Sequence, residues 1–300
     1  MTDSVYLIDA SIYIFRAYFG IPDEWHDSDG RPVNALFGYT QFLLKFLTAA
    51  RPQHLAVAYD ESLGSCFRNE IYPAYKNSRA LPDEMLAYQL KACKGLTEIF
   101  GISSLASDRY EADDIIATLA HKAQIDGRNI VVVTKDKDLG QLLLKEGDYL
   151  WDFGGQRKID RYAFHGHFGV WPEQLEDYLA LVGDSVDDIP GVPGIGKKTA
   201  SSLLEKFSSI ERLYRDSDGV AGSGIRGAAT IVSKLKDYRD QVEMAQRLVR
   251  LEKNAPLAHD QSLLWQPPSI DVIRNYLDEF GLGQYFQRQL DSCHWWKLDE

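Results

Sequence analysis

The 300-residue sequence predicts an α/β fold, with a mostly parallel central sheet and flanking helices in its first half and a helical region after it. Three short runs, VYLI (5–8), LAVAY (55–59) and NIVVVT (129–134), are apolar throughout, as expected of parallel strands buried on both faces. Longer stretches of helical periodicity separate them, the alternation of strand–helix–strand units. From about residue 172 the strand signals fade: Pro172 and Glu173 open a helix, and Leu175, Leu179 and Val182 recur at helical spacing. A boundary near 165–172 divides the chain into 1–168 and 169–300.

Hydrophobic residues at 45% suffice for a sizeable core. Cys66, Cys93 and Cys293 are odd in number and far apart, so they read as packing residues in a reducing compartment. The start, MTDSVYLIDAS, lacks the basic and apolar regions of a leader, and no run approaches the ~18 apolar residues of a membrane span. A cytoplasmic protein without membrane contact is expected. A net charge of -11 counts against a nucleic-acid partner, because phosphate neutralisation supplies most non-specific affinity, unless the acids are concentrated in one place.

Taken in order, the elements concentrate them. The first strand ends on Asp9, the second on Asp60, and the third is followed by Asp136 and Asp138. Ligands of open α/β sheets bind outside the carboxyl ends of the strands, so these acids converge on one rim. The stretch after Asp60 interleaves Arg68, Lys76, Arg79, Lys91 and Lys94 with Tyr72, Tyr75 and Tyr88, a composition that suits a single strand of nucleic acid. A solvated helix with surface lysines is the plainer alternative; the position beside Asp60 favours Lys76 and Arg79 as partners of a phosphate over the rim. In YEADDIIATLA (110–120) Glu111, Asp113 and Asp114 open an amphipathic helix, where capping accounts for one or two acids. In TKDKDL (134–139) a polar turn neutralised by Lys135 and Lys137 is the alternative. Asp184 and Asp187 close the helix of 172–183, where acids oppose the helix dipole.

Asp9, Asp60, Glu111, Asp113, Asp114, Asp136, Asp138, Asp184 and Asp187 thus form a cluster of nine that repels itself unless cations are bound. Oxygen-only ligands without recurring cysteine or histidine indicate magnesium or manganese. Two such ions ~4 Å apart activate a water and stabilise the leaving oxygen of a phosphodiester. Setting the nine aside changes -11 to about -2 for the rest of the chain, which removes the charge objection.

The stretch GDSVDDIPGVPGIGKKTA (183–200) nearly matches the nucleotide loop G-x-x-x-x-G-K-[ST]. Gly191, Gly196 and Lys197 fit, but Lys198 stands where a hydroxyl is required, and the loop follows a helix rather than a strand. Helix, glycine hairpin (Gly191, Gly194, Gly196) and a second helix beginning Lys197-Lys198 make a grip for a duplex backbone phosphate without base readout. A weaker second element is GSGIRGAATIVSKL (222–235), with Arg226 and Lys234.

LIDAS (7–11), AYDES (58–62), FR (67–68), YPAYKNSR (72–79), YEADD, TKDKDL and GDSVDDIPGVPGIGKKTA together resemble the 5′-nuclease, or flap endonuclease, family, close to the form at the amino end of bacterial DNA polymerase I, over about residues 5–250. The resemblance implies a PIN-like sheet, a helical arch (about 68–100) through which a free 5′ strand passes, and a helix-hairpin-helix (about 172–208) that can bind potassium. It assigns Asp9, Asp60, Glu111 and Asp113 to one magnesium ion and Asp136, Asp138 and Asp184 to another, with Asp114 and Asp187 nearby and manganese as a substitute. Lys76 and Arg79 match arch residues facing the scissile phosphate, Tyr75 a stacking aromatic, and Arg16 and Arg68 further phosphate contacts. The implied protein is a monomeric, metal-dependent 5′-3′ exonuclease and flap endonuclease of replication or repair. It acts on 5′ flaps, nicked or branched duplexes and free 5′ ends, with replication or repair proteins as further partners. Asp188 departs from the asparagine common in the bacterial form, and the chain ends at Glu300 with no polymerase following, as in a free-standing nuclease. The rival readings are a haloacid dehalogenase-type phosphatase, disfavoured by Ser11 where a second aspartate is needed, a DNA-binding protein that does not cut, and a metal-dependent ribonuclease. His165, His167, Trp295 and Trp296 read as packing residues.

Overall fold

The structure, a computed structural model, describes residues 4–257 and 262–293; Trp295 and Trp296 lie outside them. Strands β1 (Ser4–Asp9), β2 (His54–Asp60), β3 (Ser103–Ser107), β4 (Asn129–Val133), β5 (Tyr149–Asp152) and β6 (Arg157–Ile159) form one sheet in the order β3-β2-β1-β4-β5-β6. The first five pair in parallel and β6 turns back antiparallel on β5. The three apolar runs are the central strands β2, β1 and β4. The strands without such a run are the outer ones: β3, SSLAS, is largely half-buried, and β5 and β6 are short.

The chain winds outward from β1 through β2 to β3, then crosses to the other side of β1 for β4. The strand order therefore reverses beside β1, and the crevice of such a sheet opens outside the carboxyl ends of the strands at that reversal. Asp9 ends β1 and Asp136 follows β4 by three residues.

Alternate strand residues face opposite sides, and each side has its own core. Leu7, Ala56, Ala58 and Val132 face α5 (Ala112–Ile125) and the helices stacked beyond it. Ile8, Leu55, Val57 and Val133 face α1 (Ala10–Gly20), α2 (Asn34–Ala50) and α4 (Glu84–Ile99). The segment between β2 and β3 is a short helix, α3 (Phe67–Ile71), a turn-rich stretch, and α4. After α6 (Arg161–Phe168), where His165 stacks on Trp171 at 4.1 Å, come α7 (Leu175–Val182) and α8 (Lys197–Phe207), joined by the glycine-proline loop. Further on are α9 (Ile210–Arg215), α10 (Ser217–Ala221), α11 (Ala228–Asp237) and α12 (Arg239–Val249). The chain then returns to the sheet. Leu55 N donates to Leu263 O at 2.7 Å and Trp265 N to Gln53 O at 2.8 Å, while α13 (Ile270–Glu279) and α14 (Gly283–Ser292) complete the second core. All three cysteines are free and buried, and among the described residues no helix is long and apolar enough to cross a membrane.

Candidate active site

Asp9 is buried, caps α1 by accepting from Ser11 N at 3.2 Å, and accepts from Thr134 Oγ1 at 3.2 Å. The same Thr134 hydroxyl accepts from Asp136 N at 3.0 Å, and Asp136 Oδ1 accepts from Asp138 N at 2.8 Å. Thr134 thereby ties the ends of β1 and β4 together, a role masked in the sequence because it closes an apolar run. Burial first, then the charge of Asp136, pushes the Asp9 carboxyl up to about 7. The same causes raise Asp138 to about 7, against the pull of Lys137, and raise Asp113 in the first turn of α5, where Asp9 adds to the repulsion. Asp60 contributes to the field at Asp9 and is anchored by Ser62, whose Oγ donates to it at 2.9 Å. Acids from four elements thus disturb one another at the reversal point.

Two lysines hold the remaining acids. Lys137 Nζ lies 2.8 Å from Asp184 Oδ2 and 3.1 Å from Asp138 Oδ1. Burial alone would raise Asp184, but this partner holds it below the usual range. Lys76 Nζ bonds to Glu111 and stands 3.8 Å from Asp187 Oδ2. Burial pushes the Glu111 carboxyl up, but Lys76 and Arg68 outweigh it and keep the group ionised below its usual range. Arg79 pairs with Asp187, and Ser78 N donates to Asp188 Oδ2 at 2.9 Å. The stretch bearing Lys76 and Arg79 is therefore docked on the turn that carries Asp187.

Three expected site residues lie elsewhere. Asp114 is fully buried and both its oxygens accept from Arg68, at 2.6 and 2.7 Å, so in this arrangement its carboxylate is occupied by the guanidinium rather than free for an ion. Arg68, 2% exposed, has no face toward solvent and so is not presented to DNA in this arrangement. Tyr75 is also buried and donates its hydroxyl to Glu111 at 2.9 Å, which precludes base stacking in this arrangement. The signal that misleads for Arg68 and Asp114 is residue type, since arginine and aspartate are rarely buried.

In the hairpin, Lys197 and Lys198 are exposed at the start of α8, whose N-cap Gly196 leaves open space. Gly194 (φ +80°) lies beside the Lys234 ammonium, which brings the second basic element to the first. Gly191 differs from expectation: a Cβ there would run into the Val182 backbone, so this glycine closes the hairpin rather than approaching a ligand. Arg226 is exposed. Arg16 is exposed beside Gly154, in a groove between α1, α2 and the β5–β6 turn.

Among the described residues no three histidine, cysteine or acidic side chains close around an ion as they stand; lysines occupy that role at Glu111 and Asp184. The donor chemistry nonetheless suits a hard divalent cation. All donors are carboxylate oxygens, Asp9, Asp113 and Asp138 are raised by burial and then by repulsion from Asp136, and Asp138 Oδ1 is buried without an aligned hydrogen bond.

Residues 4–169 match the 5′-3′ exonuclease N-terminal resolvase-like domain, and residues 170–271 the 5′-3′ exonuclease C-terminal SAM fold. DNA polymerase I of Rhizobium leguminosarum is 33% identical over 299 residues, covering 97% of this chain and 29% of that protein. DNA polymerase I of Bacillus subtilis (strain 168) is 35% identical over 254 residues, covering 84% and 28%. The chain spans less than a third of the length of these relatives. Among solved structures, T5 5′-exonuclease with bound divalent metal ions (zinc) is 18% identical with a TM-score of 0.64, covering 98% of this chain and 97% of that one. The catalytic core of Rad2 in complex with DNA substrate is 17% identical with a TM-score of 0.64, covering 97% and 92%. These likenesses establish the fold, and with both halves of the sequence matched in order, the chain is a member of the 5′-3′ exonuclease family.

Proposed function

We propose that the chain is a divalent-metal-dependent 5′-nuclease that hydrolyses DNA phosphodiesters at 5′ flaps, nicks and free 5′ ends. The observation that carries this reading is the group of mutually repelling carboxylates, Asp9, Asp113, Asp136 and Asp138, at the point where the strand order reverses. With Asp60, Glu111 and Asp184 they would hold two magnesium ions, manganese substituting. Such ions supply charge neutralisation at the scissile phosphate and an activated water. Lys76 and Arg79 exchange their carboxylate partners for the phosphate and stabilise charge developing on it. Lys197, Lys198 and the first amides of α8 grip the duplex backbone, with Arg226 and Lys234 as a second contact and Arg16 guiding a strand along α1. The hairpin loop is the place for a potassium ion. In this division residues 1–168 carry most of the chemistry, and 169–300 add Asp184 and the hairpin that positions the duplex, while α13 and α14 pack back on the sheet.

The test is incubation with a 5′-flapped duplex, a nicked duplex and single-stranded RNA, with and without magnesium. Magnesium-dependent release of 5′ fragments from DNA is expected. Binding without cleavage under every condition would favour a DNA-binding protein that does not cut, and preferential cleavage of the RNA a ribonuclease.

A further inference from the structure

Among the described residues Arg68 is the largest fully buried side chain, and an arginine has five N–H donors in a rigid fork. All five are engaged. Nε donates to Leu248 O at 2.7 Å, Nη1 to Glu111 Oε2 at 2.8 Å and Asp114 Oδ2 at 2.6 Å, and Nη2 to Asp114 Oδ1 at 2.7 Å and Arg250 O at 2.8 Å. Asp114 in turn accepts from Glu111 N at 3.1 Å and from Glu252 N at 2.9 Å. Glu111 is thus held through its backbone by Asp114 and through its carboxylate by Arg68 and Tyr75, leaving Oε1 for Lys76. The other two bonds of the guanidinium reach the end of α12, about 180 residues away along the chain.

We infer that Arg68 is a positioning residue, which fixes the Glu111 carboxylate at the active site and ties that position to the end of α12. Stability alone does not call for such an arrangement, because a buried ion pair is often replaceable by apolar residues without loss. A phosphate contact is excluded because no donor is left over. Lysine cannot substitute, since a single ammonium has three donors and no fork. The inference rests on the reading of Glu111 as part of the nuclease site, but the coupling to α12 can be measured without metal or DNA.

The experiment uses the full chain with R68K and, in case that variant folds poorly, D114N. Hydrogen exchange of the metal-free protein is followed in segments 110–114 and 248–255, alongside duplex affinity and single-turnover cleavage of the flapped substrate at saturating DNA. Faster exchange in both segments together is expected, with a cleavage rate lowered by about 10- to 100-fold, the scale of a lost outer support of a metal ligand, and duplex affinity within about twofold at an unchanged salt slope. Unchanged exchange at 248–255 in both variants would overturn the coupling. Loss of affinity with a salt slope smaller by about one would make Arg68 a phosphate contact. If the unaltered protein fails to cleave, the nuclease reading falls while the exchange measurement still decides the role of Arg68.

Discussion

Replacing Asp9 by asparagine tests the central claim that the carboxylates at the strand ends repel one another until a cation arrives. In the metal-free protein burial and the Asp136 charge raise Asp9 from 3.8 to about 7. An acid whose folded pKa lies above its unfolded value retains its proton in the native state while the unfolded chain loses it. Stability therefore falls as pH rises from about 4 to about 7 and stays low above that. A rise from 3.8 to about 7 corresponds to about 4 kcal/mol. The shifts at Asp9, Asp113 and Asp138 share Asp136 as a cause and do not add, because coupled groups titrate together. For a chain of this size 4 kcal/mol lowers the melting temperature by on the order of 10 °C. Glu111 and Asp184 have lowered pKa values, so their linkage is confined to acid pH and does not mask the effect. Asparagine keeps the cap on α1 and removes the charge. Melting curves in chelator should show the original protein losing stability between pH 5 and pH 8, with D9N losing distinctly less. Magnesium at pH 8 should restore the original protein and leave D9N nearly unmoved. A metal-free protein equally or more stable at pH 8, or a D9N curve parallel to the original, would refute the reasoning.

Asp136→Ala or Asp184→Ala should abolish cleavage while leaving duplex binding measurable in a shift assay; full activity of either at saturating magnesium contradicts the metal assignment. Lys197→Ala combined with Lys198→Ala should weaken duplex binding uniformly across sequences and flatten its salt dependence by up to about two in slope, so a sequence-selective loss counts against the backbone grip. Lys76→Ala should lower the single-turnover rate by about two to three powers of ten, the effect of removing one preorganised donor, with affinity little changed. Lys76→Arg should recover only part of that rate. An equal loss of affinity and rate, with chemistry on saturating DNA untouched, would reduce Lys76 to an electrostatic guide.

The three central strands and the acids at their ends are legible in the sequence because a strand buried on both faces must be apolar throughout and must stop where the chain turns polar. The helices on either side of the glycine hairpin are legible for a similar reason, their apolar spacing being local. The outer strands are not: β3 reads SSLAS, half-buried at the margin of the sheet, and no pattern marks it. Nor does local sequence separate Asp113 from Asp114. They are adjacent, but about 100° of helical rotation turns the first toward Asp136 and Asp9 and the second toward Arg68. Arg68 and Tyr75 read as surface residues in a basic, aromatic stretch, yet α12, 180 residues further along the chain, closes over Arg68 and removes it from water. Periodicity and strand ends are properties of neighbouring residues and so are written in the sequence. Which charges are desolvated, and which partners they then require, depends on surfaces brought together from distant parts of the chain, and only the tertiary structure decides that.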